Sequence, residues 1–110
     1  MKAKYGVPCS HLKDRVEDVD VNCTSEEEAM AVAAGAYLAG VESTVYMQNS
    51  GLGAIVDIVT SLYKCYGIPL PKLLLSIRRK PKHHEFMGKI TRTLLKLMEY
   101  DGDVEIIEEF

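Results

Sequence analysis

The chain has 110 residues, 47% of them apolar and 26% charged, with a formal net charge of −3. That is the size and balance of one globular domain, 1–110, with a core of its own. Mild acidity, no Trp and two Phe argue against nucleic acid or an anionic membrane as partner, and against a base-stacking platform.

Cys9, Cys23 and Cys65 are an odd count at wide spacing, with no paired-cysteine or Cys/His ligand pattern. The sequence therefore implies neither a disulfide framework nor a metal site of its own, and a reducing, cytoplasmic compartment is expected. The opening "MKAKYGVPC" has no signal-type apolar core, and no run approaches the roughly 18 apolar residues that span a bilayer.

In chain order, "YGVPCS" reads as a short apolar strand ending in a turn, with Ser10 capping a helix "HLKDRV". Val19 and Val21 alternate in "DVDVNCT", as in a strand. "SEEEAMAVAAGAYLAG" reads as a helix in which Ser25 caps, Glu28 completes a capping box and Gly40 stops the run. "STVYMQ" is a buried strand, "LGAIVDIVTSLYKCY" a helix, and "LPKLLLSI" a further strand. A polar loop, "RRKPKHHE", leads to the helix "FMGKITRTLLKLMEY". Its apolar face runs through Met87, Ile90, Leu94 and Leu97, widened by Leu95 and Met98. Gly102 is expected to close that helix, and "DVEIIEEF" to form the last strand.

Strands separated by helices predict an α/β fold, a three-layer arrangement of a mostly parallel sheet with helices on both faces. Ligands in such sheets sit beyond the carboxyl ends of the strands. The turns at Cys23-Thr24-Ser25-Glu26 and Gln48-Asn49-Ser50-Gly51 are the candidates. Gly51-Leu52-Gly53 lacks the third glycine of a dinucleotide fingerprint, because Val56 stands there, and no P-loop Lys follows. A tight βα turn accounts for those glycines by spacing alone.

Glu26, Glu27 and Glu28 suit the positive end of a helix dipole without any function. The alanine-rich face from Ala29 to Ala39 fits either helix-on-sheet packing or a subunit interface. Arg78, Arg79, Lys80 and Lys82, with His83 and His84, form a basic cluster. It is either a solvated loop or a grip for a carboxylate, sulfonate or phosphonate.

The strings "GVPCSHLK", "TSEEEAMAVAAGAYLAG", "VYMQNSGLG", "TSL", "YGIPLPKLLLSIR" and "MGKIT" occur in that order. Together they resemble the pyrimidine-binding half of the thiamine-diphosphate decarboxylases of sulfopyruvate and phosphonopyruvate, from about Gly6 to Thr91. The resemblance implies a compact version of that fold. It also implies a lyase subunit acting on a small anionic 2-keto acid, with thiamine diphosphate and Mg2+ as cofactors.

In that family a glutamate follows Asn and precedes Gly at the start of the alanine-rich helix. Ser25, Glu26 and Glu27 stand there, so Glu26 takes the catalytic position facing the aminopyrimidine ring. The resemblance places Gln48, Asn49 and Gly51 with Glu26 beside the cofactor. It places Ser10, Asn49, Ser50, Arg78 and His84 on the substrate side. The family's Trp-Arg-Gly is Ile77-Arg78-Arg79 here, its Gly-Asn is Gly53-Ala54, and the loop to His84 is shorter.

No Gly-Asp-Gly with a following Asn-rich segment, the diphosphate and magnesium motif of such enzymes, occurs in the chain. The resemblance therefore implies a partner subunit that holds the diphosphate and the metal, in a dimer or higher oligomer. Two other readings remain at this point: a non-catalytic assembly or regulatory protein of the same fold, and a small nucleotide-binding α/β domain.

Overall fold

The computed structural model describes residues 1–7 and 19–108. Five parallel strands form one sheet: β1 (Lys2–Gly6), β2 (Val21–Asn22), β3 (Glu42–Gln48), β4 (Lys72–Ile77) and β5 (Val104–Glu108). Their spatial order is β2-β1-β3-β4-β5. The helices are α1 (Glu26–Leu38), α2 (Leu52–Ile58, continuing as a π-helical segment Val59–Lys64) and α3 (Glu85–Leu97). The chain runs outward from β1 to β2, then crosses back to β3 on the other side of β1. Where a parallel sheet reverses direction like this, a crevice opens beyond the carboxyl ends of the two diverging strands.

The central strands are apolar in continuous runs, as strands buried on both faces must be. Val45 and Met47 of β3, with Leu73 and Leu75 of β4, face the helices and join one core with Ala29, Met30, Ala33, Ala34, Leu52, Ile55, Val59 and Met98. Tyr46 and Leu74 face the opposite way, with Val19 and Ile107 beside them. All three described helices thus pack on one face of the sheet. The expected cover of the other face, the helix "HLKDRV", and the turn bearing Ser10 lie outside the described residues.

Local chemistry sets the ends of the elements. Ser25 Oγ accepts from the Glu28 N–H at 3.1 Å, the expected cap. Glu28 does not reach back to Ser25, however. Its carboxylate accepts from Thr24 N at 3.2 Å and Thr24 Oγ1 at 2.8 Å, so the box is displaced by one residue. Those bonds hold the Glu28 carboxyl below its ordinary range. At the other end Gly40 takes φ 83°. Its N–H donates to Tyr37 O and that of Val41 to Ala36 O, which satisfies the last carbonyls of α1.

Four further expectations change. β1 begins at Lys2, three residues before the expected Tyr5, because it pairs with β3 from Lys2 opposite Glu42 onward, while β2 meets only Tyr5 and Gly6. β2 keeps two paired residues, since Val19 turns to pack beside Tyr46 and Leu74. In α3 the inward face is Met87, Thr91, Leu94, Leu95 and Met98, whereas Ile90 and Leu97 are 36% and 76% exposed. Gly102 does not close α3. Glu99 takes the left-handed position at φ 51°, and the Tyr100 N–H donates back to Leu95 O. A Cβ on Gly102 would lie 2.9 Å from the carbonyl oxygens of Leu70 and Pro71, so this glycine admits the approach of β5 to β4.

The π-segment has a local cause. Thr60 Oγ1 donates to Val56 O at 3.0 Å, and Ser61 Oγ to Asp57 O at 2.6 Å. Such back-bonding hydroxyls compete with the backbone ladder. The wider turn swings Tyr63 into the core, where its hydroxyl donates to Met30 O of α1 at 2.6 Å. Burial pushes that phenol well above its ordinary range.

Candidate active site

Polar side chains converge at the carboxyl edge of the sheet, where β3 ends at Gln48 and α1 begins at Glu26. Glu26 is half-buried and its side chain lies across Gly51, which is buried. A Cβ on Gly51 would press on Glu26 Cγ and fall 2.8 Å from Cδ, closer than packed atoms allow, with Oε1 a tight 3.1 Å away. Glycine at 51 is therefore what lets the carboxylate of Glu26 rest at this edge. Beside them Gln48 Nε2 donates to Ser50 Oγ at 3.1 Å, and Ser50 is exposed.

Asn49 behaves differently from its neighbours. It is fully buried. Its Oδ1 accepts from the Arg78 N–H at 3.1 Å, and its Nδ2 donates to Thr91 Oγ1 at 3.0 Å, with Arg78 O at 3.5 Å. The last backbone rung between β3 and β4 joins Gln48 to Ser76, so the Asn49 amide adds a rung of its own one step further on. Its polar atoms are used inside the protein, where they tie the end of β3 to Arg78 and to Thr91 of α3.

The two adjacent arginines divide their work. Arg78 is half-buried, and its Nε donates to Lys80 O at 3.0 Å. Arg79 points to β5, where Nη2 lies 2.8 Å from Glu108 Oε1, with Arg92 Nη1 at 3.3 Å from the same oxygen. Bonds from Arg79 and then Arg92 hold the Glu108 carboxyl below its ordinary 4.5. His84 is half-buried in the short turn ahead of α3, its ring 4.1 Å from that of His83 at a 43° tilt.

The structure thus brings Glu26 against Gly51, Gln48 against Ser50, and Asn49 against Arg78. Ser10 lies outside the described residues. Thr91 is a participant that the sequence reading passed over. Its signal was a lone hydroxyl on the inward stripe of α3, one turn after Met87. Gly88 was also legible in "MGKIT": a Cβ there would sit 2.7 Å from Arg79 Cγ and 3.3 Å from Arg78 O, so glycine lets α3 close on this segment.

Cys23 is buried, and burial first, then Glu28, pushes its thiol up. It is not an activated nucleophile. Among the described residues no three His, Cys, Asp or Glu side chains are grouped to hold a metal ion, and no described helix is long and apolar enough to cross a membrane.

A cavity of about 420 Å³ opens at the opposite, amino edge of the sheet, lined by Ala33, Tyr37, Ser43, Leu70, Pro71 and Asp103 among others. None of the site residues named above lines it. Ser43 Oγ is buried there without a hydrogen-bond partner.

No protein-family model matches the sequence. Individual proteins do. The sulfopyruvate decarboxylase α subunit of Methanothermobacter thermautotrophicus is 38% identical over 106 residues, covering 84% of this chain and 62% of that subunit. That of Methanocaldococcus jannaschii is 44% identical over 70 residues, or 57% of this chain and 41% of the subunit. The phosphonopyruvate decarboxylase of Streptomyces viridochromogenes is 36% identical across 110 aligned positions, covering 87% of this chain and 27% of that enzyme. The chain therefore spans less than two thirds of the length of these relatives.

Proposed function

We propose, from the homology of this chain to the α subunit of sulfopyruvate decarboxylase and to phosphonopyruvate decarboxylase, that it is the pyrimidine-side subunit of a thiamine-diphosphate-dependent decarboxylase. Its substrate would be a small anionic 2-keto acid of the sulfopyruvate or phosphonopyruvate type, turned over in the cytoplasm. The observation that carries this reading is Glu26 resting on Gly51 at the crevice between β1 and β3. The missing Cβ leaves a ledge on which a carboxylate can face a ring.

Thiamine diphosphate, when bound, supplies an electron sink for the pair released as the substrate carboxylate leaves as CO2. The chain's own residues do the rest. Glu26 presents a carboxylate oxygen to a nitrogen of the aminopyrimidine and holds or yields a proton there. Gly51 keeps that carboxylate in place, and Gln48 with Ser50 forms the polar wall beside it. Arg78 presents a guanidinium to the sulfonate or phosphonate tail, which paired N–H donors suit better than a point charge. Asn49 fixes where Arg78 leaves β4, while Ser10 and His84 belong to the substrate side.

The diphosphate and Mg2+ are assigned to a partner subunit in a dimer or higher oligomer. The naming of the archaeal relatives as α subunits supports this.

The test is co-expression with a chain that carries the Gly-Asp-Gly…Asn motif, followed by assay with thiamine diphosphate and Mg2+. A stable complex that releases CO2 from sulfopyruvate or phosphonopyruvate supports the reading, and the ratio of the two rates identifies the substrate. A stable complex that consumes neither keto acid overturns it in favour of an assembly or regulatory role.

A further inference from the structure

We propose that Thr91 is a positioning residue of the strand-end site, setting the polarity of the Asn49 amide and through it the course of Arg78; this rests on the decarboxylase reading above. An asparagine amide can face either way, and its two ends differ in what they offer a neighbour. Thr91 removes the ambiguity. Its hydroxyl hydrogen is committed to Met87 O at 2.6 Å, so only lone pairs remain to face Asn49. The atom of Asn49 that lies 3.0 Å from Thr91 Oγ1 must therefore be the NH2 group. That turns the carbonyl oxygen toward β4, where it accepts the Arg78 N–H at 3.1 Å. Asn49 and Thr91 are both fully buried, so water cannot readily substitute for either partner.

The consequence reaches the substrate side. Arg78 is the first residue beyond β4, and its backbone is held by Asn49 through both N–H and, at 3.5 Å, carbonyl. Its side chain is steered by a bond from Nε to Lys80 O. Gly88 brings α3 against the same segment, and Thr91 follows three residues later on the inward face. The contact is thus a chain of donations running from the Arg78 N–H through Asn49 and Thr91 to Met87 O. It begins at the backbone of the residue whose guanidinium would grip the anionic tail.

Thr91→Val keeps the shape and removes the hydroxyl. Thr91→Ser keeps the hydroxyl and removes a methyl. In the complex with the partner subunit, Thr91→Val is expected to raise KM for sulfopyruvate about tenfold, the factor that corresponds to losing one ordinary buried hydrogen bond, with kcat falling less. Thr91→Ser is expected to restore KM.

Amide hydrogen exchange provides a second readout that does not depend on turnover. In Thr91→Val the Arg78 N–H should exchange at least about tenfold faster, with the Leu75 N–H inside β4 as the internal standard. If Thr91→Val does not fold by circular dichroism, Thr91→Ala takes its place in both measurements. A lowered melting temperature with unchanged KM and unchanged Arg78 exchange would overturn the proposal and leave Thr91 a purely stabilising residue. If the wild-type complex consumes no keto acid, the decarboxylase reading fails. Exchange at Arg78 then decides alone whether Thr91 positions it.

Discussion

The two edges of the sheet present opposite kinds of surface. The carboxyl edge carries Glu26 against Gly51, Gln48 bonded to Ser50, and Asn49 joining Arg78 to Thr91 of α3. The amino edge carries a cavity of about 420 Å³ with Tyr37, Leu70 and Pro71 in its lining and a partnerless hydroxyl, Ser43, in its wall. Volume alone would choose the amino edge. Chemistry chooses the other, because catalysis needs groups fixed in direction more than it needs room.

That contrast can be broken most directly at Glu26. In the partner complex, Glu26→Gln should lower kcat by roughly a hundredfold or more, the size of a lost general acid–base group. Ser43→Ala, at the amino edge, should leave kcat as it is. Turnover assays on the two variants decide, and a loss at Ser43 would reverse the assignment of the edges.

Stability offers the next largest difference. Asn49→Ala leaves the Arg78 N–H without its side-chain acceptor and opens a void beside the Thr91 lone pairs, and should cost about 2–4 kcal/mol in chemical denaturation. Ser43→Ala removes a hydroxyl that has no partner, and should change stability by less than about 1 kcal/mol or raise it.

Two glycines sharpen the comparison further. Gly51→Ala drives a Cβ into Glu26, and should reduce kcat by about tenfold to a hundredfold through a misplaced carboxylate. Gly40→Ala, at φ 83° near the amino edge with nothing close to its Cβ, should cost on the order of 1 kcal/mol of stability with turnover retained. A kinetic effect at Gly40, or none at Gly51, would show that backbone freedom and not the seat of Glu26 matters.

The smallest effect concerns pH. Glu108 has its pKa lowered from 4.5 by Arg79 and Arg92. Its contribution to stability is therefore present above that ordinary value and is lost as pH falls through the lowered one. Melting temperatures measured across this acid range should fall less steeply for Glu108→Gln than for wild type. Because these three side chains remain more than a third exposed, the difference at neutral pH should be slight.

Much of the fold was legible where a local rule and the tertiary structure agree. Ser25 caps, Gly40 stops, and the apolar runs of β3 and β4 are buried as such runs must be. The alternation Lys2-Ala3-Lys4-Tyr5 would have placed the start of β1, had the lysines been read as one exposed face. α3 was harder, because Ile90 and Leu97 look more suited to a core than Thr91. The threonine turns inward because Asn49 and Met87 satisfy its hydroxyl, and a partner 42 residues away leaves no trace in a helical pattern.

The candidate site divides along the same line. Glu26 and Gln48 could be placed by a strand end and a helix start. Asn49 could not be placed in the same way, since a polar residue at a strand end looks alike whether it faces a ligand or the interior. Arg78 and Arg79 likewise differ only in which neighbour takes the guanidinium, Lys80 O in one case and Glu108 in the other.

The wide turn at Val59–Lys64 gives α2 one residue of slack. A uniform α-helix from Leu52 would set Leu62, which is half-buried, near the middle of the inward face and move Tyr63 toward its edge. Shortening the segment by one residue, for instance at Thr60, would restore an even pitch and still deliver Tyr63 to Met30 O. The helix can therefore lose a residue without changing what it touches, so a variant lacking Thr60 should fold with its Tyr63 hydroxyl still protected. Length, in this one place, is not part of the specification.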